Sequence, residues 1–193
     1  MPTVPWSPVF AGFALALLAT GVMRLGEVVV SVRRMRARPD DVVAEPWLFP
    51  LMVLLHTGLV AAPLLEVVLL QRPVVPALTG LAVGILFVAT VLRVWTLSTI
   101  GHSWNVRVVA PPKDGIATTG PYAWIRHPNY LVVVLEIFAL PLLHTAWWAC
   151  LGLSALNAFV LFHRIRTEES VLLDNPAWKD AFANKARLLP GIF

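Results

Sequence analysis

Long runs of apolar residues alternate with short polar segments along the chain. The apolar runs cover residues 6–32, 47–70, 74–99, 131–143 and 146–162. A helix needs about 20 apolar residues to cross the hydrocarbon core of a bilayer, and the first three runs are long enough. The last two are of modest length and flank a tight turn, a pattern typical of a helical hairpin. We therefore expect an all-α integral membrane protein with about five transmembrane helices, including a C-terminal hairpin.

The polar segments between the runs predict the orientation of the chain. Four arginines follow the first run at positions 33–38, whereas Arg72 is the one cation between the second and third runs. Cytoplasmic loops carry an excess of Lys and Arg. We therefore expect the N-terminus outside, and the connector of residues 101–119, the C-terminus and the active site on the cytoplasmic side. The tail of residues 164–193 is expected to form a short amphipathic helix at the surface.

The composition agrees with a membrane protein and argues against several soluble classes. Of 193 residues, 58% are hydrophobic and 13% are charged, and the net charge is +4. Because the cations cluster beside apolar runs, membrane topology explains them better than nucleic-acid binding does. The sequence has no glycine-rich loop after a strand, so a dinucleotide-binding fold is not supported. It has neither an HExxH motif nor a paired CxxC, so we expect no metal. Arginine supplies 12 of the 15 cations, which suggests a GC-rich bacterial source and an inner-membrane location.

Several charged residues lie within the predicted spans. Arg24 and Glu27 can pair with each other on one helix face, or they can line a polar groove. Arg93 is close enough to the end of its run to extend to the membrane interface. His56 and Glu66 have no local partner, and we interpret both as packing residues.

Two polar clusters flank the predicted hairpin. The first is the segment GPYAWIRHPNY at residues 120–130, and the second supplies four charges between residues 164 and 169. Pro128 suits the first turn of a helix, so His127 is expected at its cap. Such density of polar groups between apolar runs indicates a functional site. We expect the two clusters to meet at the membrane surface and bind a charged cofactor there.

The residue types in these clusters suit a zwitterionic, aromatic cofactor. Arg126 or His127 can hold a carboxylate, and Glu168 can hold an amino group or a ribose hydroxyl. Aromatic faces for a heteroaromatic ring or a sulfonium are available from Tyr122, Trp124 and Tyr130. Arg164 and Glu168 share a helix face, from which Glu169 points away. Taken alone, that spacing indicates an ordinary (i, i+4) ion pair, but beside the first cluster we interpret it as part of the site.

Taken together, these motifs resemble the isoprenylcysteine carboxyl methyltransferase family. The resemblance covers residues 101–190 and includes Arg-His-Pro-x-Tyr, the hairpin, Arg-x-x-x-Glu-Glu and the Arg-Leu-Leu-Pro of the tail. Members of this family are membrane enzymes that transfer a methyl group from S-adenosylmethionine to a lipid-like acceptor. The resemblance implies a single membrane-embedded methyltransferase domain over residues 1–193. Three spans would lie in residues 1–99, and the catalytic connector, hairpin and tail in residues 100–193.

The resemblance also implies roles for individual residues. The cofactor-binding residues would be Arg107, Asp114, Gly115, Ile116, Ala117, Tyr122, His127, Pro128, Asn129, Tyr130 and Glu168. Arg126 is a further cofactor-binding candidate, because its guanidinium group can hold a carboxylate. Arg164 would face the acceptor and, with Glu168 and His127, would form the catalytic group.

The implied acceptor is lipophilic, and its head group can be of two kinds. A prenylcysteine-like carboxylate is already ionised, and Arg164 can orient it without a base. The hydroxyl of a long-chain phenolic or pyrone lipid, with a pKa near ~10, needs deprotonation, for which the candidates are His163, Glu136 and Glu168. Glu136 and Asn157 resemble a bacterial branch of the family associated with such lipids, so Glu136 is also a substrate-binding candidate.

Two other functions fit the sequence. An NADPH-dependent sterol-type membrane reductase has a related C-terminal half and differs in its cofactor. A non-enzymatic membrane subunit or lipid carrier would bind neither cofactor and would not need His127. The expected partners are a lipophilic acceptor and membrane lipids, without nucleic acid or metal.

Overall fold

The computed structural model describes residues 7–36, 47–101 and 116–189. Six α-helices form the described part of the chain: α1 Pro8–Arg36, α2 Leu48–Leu70, α3 Pro76–Ile100, α4 Pro128–Leu142, α5 Trp147–Leu172 and α6 Pro176–Phe182. Helices α1, α2, α3 and α5 are long and apolar enough to cross a membrane, judged by length and composition. The prediction of an all-α integral membrane protein is confirmed.

Helix α4 is shorter than the other apolar helices. Its 15 residues extend about 22 Å, against the ~30 Å thickness of a hydrocarbon core. The prediction of about five spans is therefore corrected to four long helices and one short apolar helix among the described residues. Helix α4 begins only at Pro128, because the preceding polar motif occupies the end of the bundle. A short turn after Leu142 joins it to α5, so the predicted hairpin is present.

Helix α5 continues ten residues beyond its predicted end at residue 162 and ends at Leu172. No proline or glycine interrupts the helix between residues 162 and 172. Charged side chains in its last turns form hydrogen bonds with other parts of the protein. The predicted short amphipathic helix of the tail is present as α6, although residues 164–172 belong to α5. Trp178 and Phe182 of α6 are buried against the protein.

The apolar core lies between helices α1 to α5. Its buried residues include Phe13, Leu17, Leu55, Leu59, Ile137, Leu140 and Leu153. Large apolar side chains also cover the outer surface, among them Leu69, which is 72% exposed, and Phe87, which is 69% exposed. An exposed apolar surface of this kind is suited to contact with lipid.

Glu66 of α2 caps the beginning of α5. Its carboxylate accepts hydrogen bonds from the backbone N–H groups of Trp148, at 3.2 Å, and Ala149, at 2.7 Å. Arg72 lies 2.8 Å from the same carboxylate. The first N–H groups of a helix have no partner within it and favour a negative charge, so this buried glutamate stabilises the start of α5.

Four charged residues form a closed group inside the bundle, which we call the ion ring. It consists of Arg24 and Glu27 from α1, Arg93 from α3 and Glu136 from α4. Each guanidinium group contacts both carboxylates, with 2.8 Å between Arg24 and Glu27 and 2.8 Å between Arg93 and Glu136. The predicted Arg24–Glu27 pair is confirmed. The expectation that Arg93 extends to the interface is wrong, because two carboxylates bind it inside and leave it 4% exposed.

Candidate functional site

The segment before α4 packs closely on the end of α3. Gly120 has a positive φ of 56°, and a Cβ at this position would lie 2.6 Å from Thr99 Oγ1 and 2.9 Å from Trp95 Nε1. Only glycine tolerates both this backbone conformation and this approach. The 3₁₀ turn Gly120–Ala123 follows and directs Tyr122 into the protein. The Gly-Pro-Tyr sequence thus has a steric reason in the fold.

Tyr122 forms an aromatic cluster with α6. Its partners are Trp178 and Phe182, whose rings stack 5.1 Å apart, and Ile116 and Ala117 pack against the same cluster. Burial raises the pKa of the Tyr122 phenol well above its usual value, so this side chain stays neutral. The structure therefore brings together three of the predicted cofactor-binding residues. Three others, Arg107, Asp114 and Gly115, lie outside the described residues.

The tail returns to the motif after α6 and runs beside it. The backbone N–H of Arg126 donates to Ala186 O at 2.9 Å, and that of His127 donates to Arg187 O at 3.0 Å. Ile125 and Ala186 form a single parallel bridge. The last turn before α4 is therefore held by a strap of tail backbone as well as by side chains.

Glu169 lies at the centre of the contacts between motif, hairpin and tail. Its carboxylate is 3.1 Å from Arg126 Nη1, 2.8 Å from Arg187 Nη2 and 3.3 Å from His127 Nε2. The hydrogen bond from Arg187 to this carboxylate raises the pKa of the guanidinium. Glu169 is 4% exposed. The expectation that it points away from the site is wrong, because the site surrounds α5 on two sides.

Arg126 is bound on all three nitrogens of its guanidinium group. Beyond Glu169, its Nε donates to Lys185 O at 2.8 Å and its Nη2 donates to Ala183 O at 2.8 Å. These contacts anchor the motif to the tail. They leave the guanidinium less available for a cofactor carboxylate than the sequence suggested.

The other side of α5 joins the two predicted clusters directly. The hydroxyl of Tyr130 donates to Glu168, and Arg164 Nε donates to the same hydroxyl at 2.6 Å. The rings of His127 and Tyr130 stack 5.2 Å apart. We call this assembly the hairpin-end cluster; it contains Arg126, His127, Tyr130, Arg164, Glu168, Glu169 and Arg187.

His127 is held in a defined orientation within this cluster. It occupies the N-cap position of α4, as predicted, and is 5% exposed. Because a carboxylate only accepts, Nε2 donates to Glu169, and Nδ1 faces Glu168 at 3.9 Å. In the first turn of α4, the Oδ1 atom of Asn129 is buried and has no hydrogen-bond partner among the described residues. This turn thus offers an unused acceptor atom.

The candidates for the acceptor side are distributed differently. Arg164 is 6% exposed and touches the sulfur of Met52, so α2 also contributes to this region. Glu136 lies six residues beyond Tyr130, about 9 Å along α4, and belongs to the ion ring. The structure therefore separates Glu136 from Arg164. His163 packs among three aromatic rings, those of Trp47, Phe159 and Phe162.

Sequence reasoning missed Glu169 and Arg187 as members of the site. Arg187 begins the Arg-Leu-Leu-Pro motif of the tail, which is one of the motifs that resemble the family. That motif is the signal that could have identified Arg187. For Glu169 the helical spacing was misleading. The spacing of Arg164 and Glu168 defines one face of α5, whereas residues of the site contact α5 on two faces. Among the residues described, no three His, Cys, Asp or Glu side chains converge in a group that could hold a metal ion.

Comparison with known proteins agrees with this geometry. The model of the isoprenylcysteine carboxyl methyltransferase family matches residues 82–174, which include most of α3, the hairpin and both polar clusters. A Bacillus subtilis (strain 168) protein carrying the name "Uncharacterized protein YpbQ" is 35% identical over 124 residues, 64% of this chain and 73% of that protein. The chain is a membrane protein of the methyltransferase type, and it belongs to the isoprenylcysteine carboxyl methyltransferase family.

Proposed function

We propose that this protein is an S-adenosylmethionine-dependent O-methyltransferase that acts at the membrane on a lipophilic acceptor. The observation that carries the proposal is the union of the two polar clusters through Tyr130, which contacts both Glu168 and Arg164. This union places an accessible carboxylate and a buried guanidinium side by side at the end of an apolar hairpin. Family membership supports methyl transfer as the reaction.

The groups around the start of α4 fit the amino-acid part of S-adenosylmethionine. The Glu168 side chain is 29% exposed and can accept hydrogen bonds from an ammonium group. The unpartnered Oδ1 of Asn129 can accept another. In the first turn of α4 the N–H groups of Tyr130 and Leu131 donate to His127 O, and the N–H of Asn129 suits a carboxylate. When bound, the cofactor supplies an electrophilic methyl group on a positively charged sulfur.

The aromatic cluster supports a place for the rest of the cofactor. Ile116, Ala117 and Tyr122 lie on the same side of the motif as α6, and their apolar surfaces suit a heteroaromatic ring. In this proposal Arg107, Asp114 and Gly115 of the connector complete the pocket. Arg126 acts mainly as the anchor of the tail.

Arg164 is the residue best suited to bind the methyl acceptor. A buried guanidinium can orient an anionic oxygen, and its contact with Met52 places it toward the interior of the bundle. The acceptor head would be a prenylcysteine-like carboxylate or the hydroxyl of a long-chain phenolic or pyrone lipid. We favour the second, because Glu136 and Asn157 resemble the bacterial branch associated with such lipids.

The charge distribution supports a cytoplasmic site in a bacterial inner membrane. Arg33, Arg34 and Arg36 occupy the last turn of α1. Arg34 donates to Gly101 O, at the same end of the bundle as the hairpin-end cluster. Positive charge of this kind marks the cytoplasmic side. The N-terminus would then lie outside.

The test is methyl transfer by the purified protein. The protein is incubated with S-adenosylmethionine carrying a labelled methyl group and a bacterial lipid extract, and the label is followed into extractable lipid. We expect labelled lipid with wild-type protein and loss of labelling with His127→Ala. Calorimetry with S-adenosylhomocysteine and with NADPH provides the control. Binding of NADPH alone would indicate a reductase, and binding of neither would contradict an enzymatic role.

A further inference from the structure

A hydroxyl acceptor needs a base. The three candidates from the sequence, Glu136, Glu168 and His163, all have other contacts in the structure. Glu136 is bound by both arginines of the ion ring. Glu168 accepts the hydroxyl hydrogen of Tyr130. His163 packs against aromatic rings, the nearest with its centroid 4.6 Å away. In the proposed function the exposed Glu168 carboxylate also binds the ammonium group of the cofactor, so neither glutamate keeps an unused basic atom beside Arg164.

His56 of α2 does present such an atom. Its Nδ1 lies 2.8 Å from Met52 O, and because a carbonyl only accepts, Nδ1 must carry the hydrogen. In the neutral ring, Nε2 then has a lone pair. This Nε2 is buried and has no hydrogen-bond partner among the described residues. An unpaired buried acceptor is unfavourable, and a donor from a ligand would satisfy it.

The position of His56 is suited to an acceptor bound at Arg164. Met52 touches Arg164 with its sulfur and His56 with its carbonyl oxygen, so one residue joins the two groups. His56 lies one helical turn, about 6 Å, further into the bundle than Met52. A head group bound by the guanidinium would therefore have to extend by about one helical turn to bring its hydroxyl to the imidazole.

Charged groups surround His56 on the helices packed against α2. Arg24 and Glu27 of α1 and Arg93 of α3 are near enough to act on its charge. Glu136 of α4 completes the ion ring with them, and Arg164 of α5 approaches through Met52. Arg24 and Arg93 repel a positive charge that appears on the imidazole during the reaction, and Glu27 acts against that repulsion.

We propose that His56 is the general base for a phenol or enol acceptor, an inference that rests on the proposed function. As the acceptor oxygen bonds to the methyl carbon, its O–H bond breaks and the proton moves to Nε2. The bond between carbon and sulfur breaks, and its electron pair stays on sulfur. The positive charge thus passes from the sulfonium to the imidazolium. The proton then leaves His56 for water, which restores the neutral ring.

The experiment compares two acceptors that differ in whether a proton must be removed. One is a long-chain alkylphenol with a pKa of ~10, and the other is its analogue with two nitro groups on the ring, which is already ionised at neutral pH. We expect His56→Gln to lower kcat for the alkylphenol by ~10²–10⁴, the usual contribution of a general base. We expect the nitrated analogue to lose less than about tenfold. Binding of S-adenosylhomocysteine should stay unchanged.

Matched variants make the inference falsifiable. His163→Gln is the same substitution at a neighbouring histidine, and a selective loss there would assign the base to His163 instead. Equal losses of kcat on both acceptors, or no loss with His56→Gln, would also overturn the base role. If His56→Gln fails to bind S-adenosylhomocysteine, His56→Asn replaces it as the test variant.

The acceptors that the wild-type protein methylates distinguish a failure of the His56 role from a failure of the proposed function. If it methylates a long-chain carboxylate but neither phenol, the hydroxyl acceptor and the role of His56 are wrong, while lipid methylation stands. If it methylates none of the three acceptors and no lipid in the extract, the proposed function fails as well.

Discussion

The ion ring and the hairpin-end cluster are both buried groups of charges, but they differ in how completely their charges are paired. In the ion ring each guanidinium binds both carboxylates, and no side chain is more than 13% exposed. In the hairpin-end cluster Glu169 is enclosed in the same way, whereas the adjacent Glu168 is 29% exposed. A closed group of charges can hold helices together, and an open one can also bind a ligand.

Charge balance separates the two groups as well. The ring has two arginines and two glutamates, so it is neutral, and its pairing offsets the cost of burial. The hairpin-end cluster has three arginines against two glutamates when His127 is neutral. Its excess positive charge favours an anionic group at the site. The hairpin-end cluster, rather than the ion ring, therefore has the charge to bind an anionic ligand.

Breaking the ion ring should have the largest effect on stability. Arg93→Met leaves Glu27 and Glu136 sharing Arg24, and an uncompensated buried charge costs about 3–5 kcal/mol. Adding Glu136→Met restores neutrality and retains the Arg24–Glu27 pair, so the double variant should recover most of that loss. Unfolding of the detergent-solubilised protein measures both. A single variant as stable as the wild type would show that the ring contributes nothing to the fold.

Glu169→Gln should have an intermediate effect on stability. It removes the charge that binds Arg126, Arg187 and His127, and we expect a loss of about 1–3 kcal/mol in the free energy of unfolding. The loss should be smaller than in the ring because Arg187 is 38% exposed and partly screened by solvent. Affinity for S-adenosylhomocysteine should also fall, since His127 loses its anchor. Unchanged affinity and stability together would contradict the central position of Glu169.

Glu168→Gln should have the smallest effect on stability and a large effect on activity. The side chain is partly exposed, and the amide can still accept from Tyr130, so we expect a change within about 1 kcal/mol. Methyl transfer should fall by ~10²-fold or more, because the amide no longer balances a cationic group. Glu169→Gln is the matched control on the adjacent residue. If Glu168→Gln destabilises the protein as strongly as Glu169→Gln, the contrast between closed and open carboxylates fails.

The fold was largely predictable because membrane spans depend on the length and apolarity of local runs. The three N-terminal helices follow the predicted runs closely, and His127 lies at the predicted cap of α4. The end of α5 was missed because charged residues normally end a span. Here their charges are bound inside the protein, and local composition does not reveal that.

Pairing across helices was the least predictable feature. Arg24 and Glu27 are three residues apart, and that spacing alone predicts their contact. Arg93 and Glu136 are 43 residues apart, and their contact depends on which faces of α3 and α4 meet. In the same way, the tail reaches Glu169 because the burial of Trp178 and Phe182 brings the chain back across the motif. No residue spacing in the sequence contains that information.

The tail strap has a consequence for how the protein is made. Ribosomes release a chain from its N-terminus, so α1 to α5 leave the ribosome before Ala186 and Arg187. Those two residues accept the backbone hydrogen bonds of Arg126 and His127, and Arg187 neutralises Glu169. A nascent chain can thus insert its helices while its site is still open. The protein would acquire activity only after Ala186 and Arg187 have followed these helices out of the ribosome.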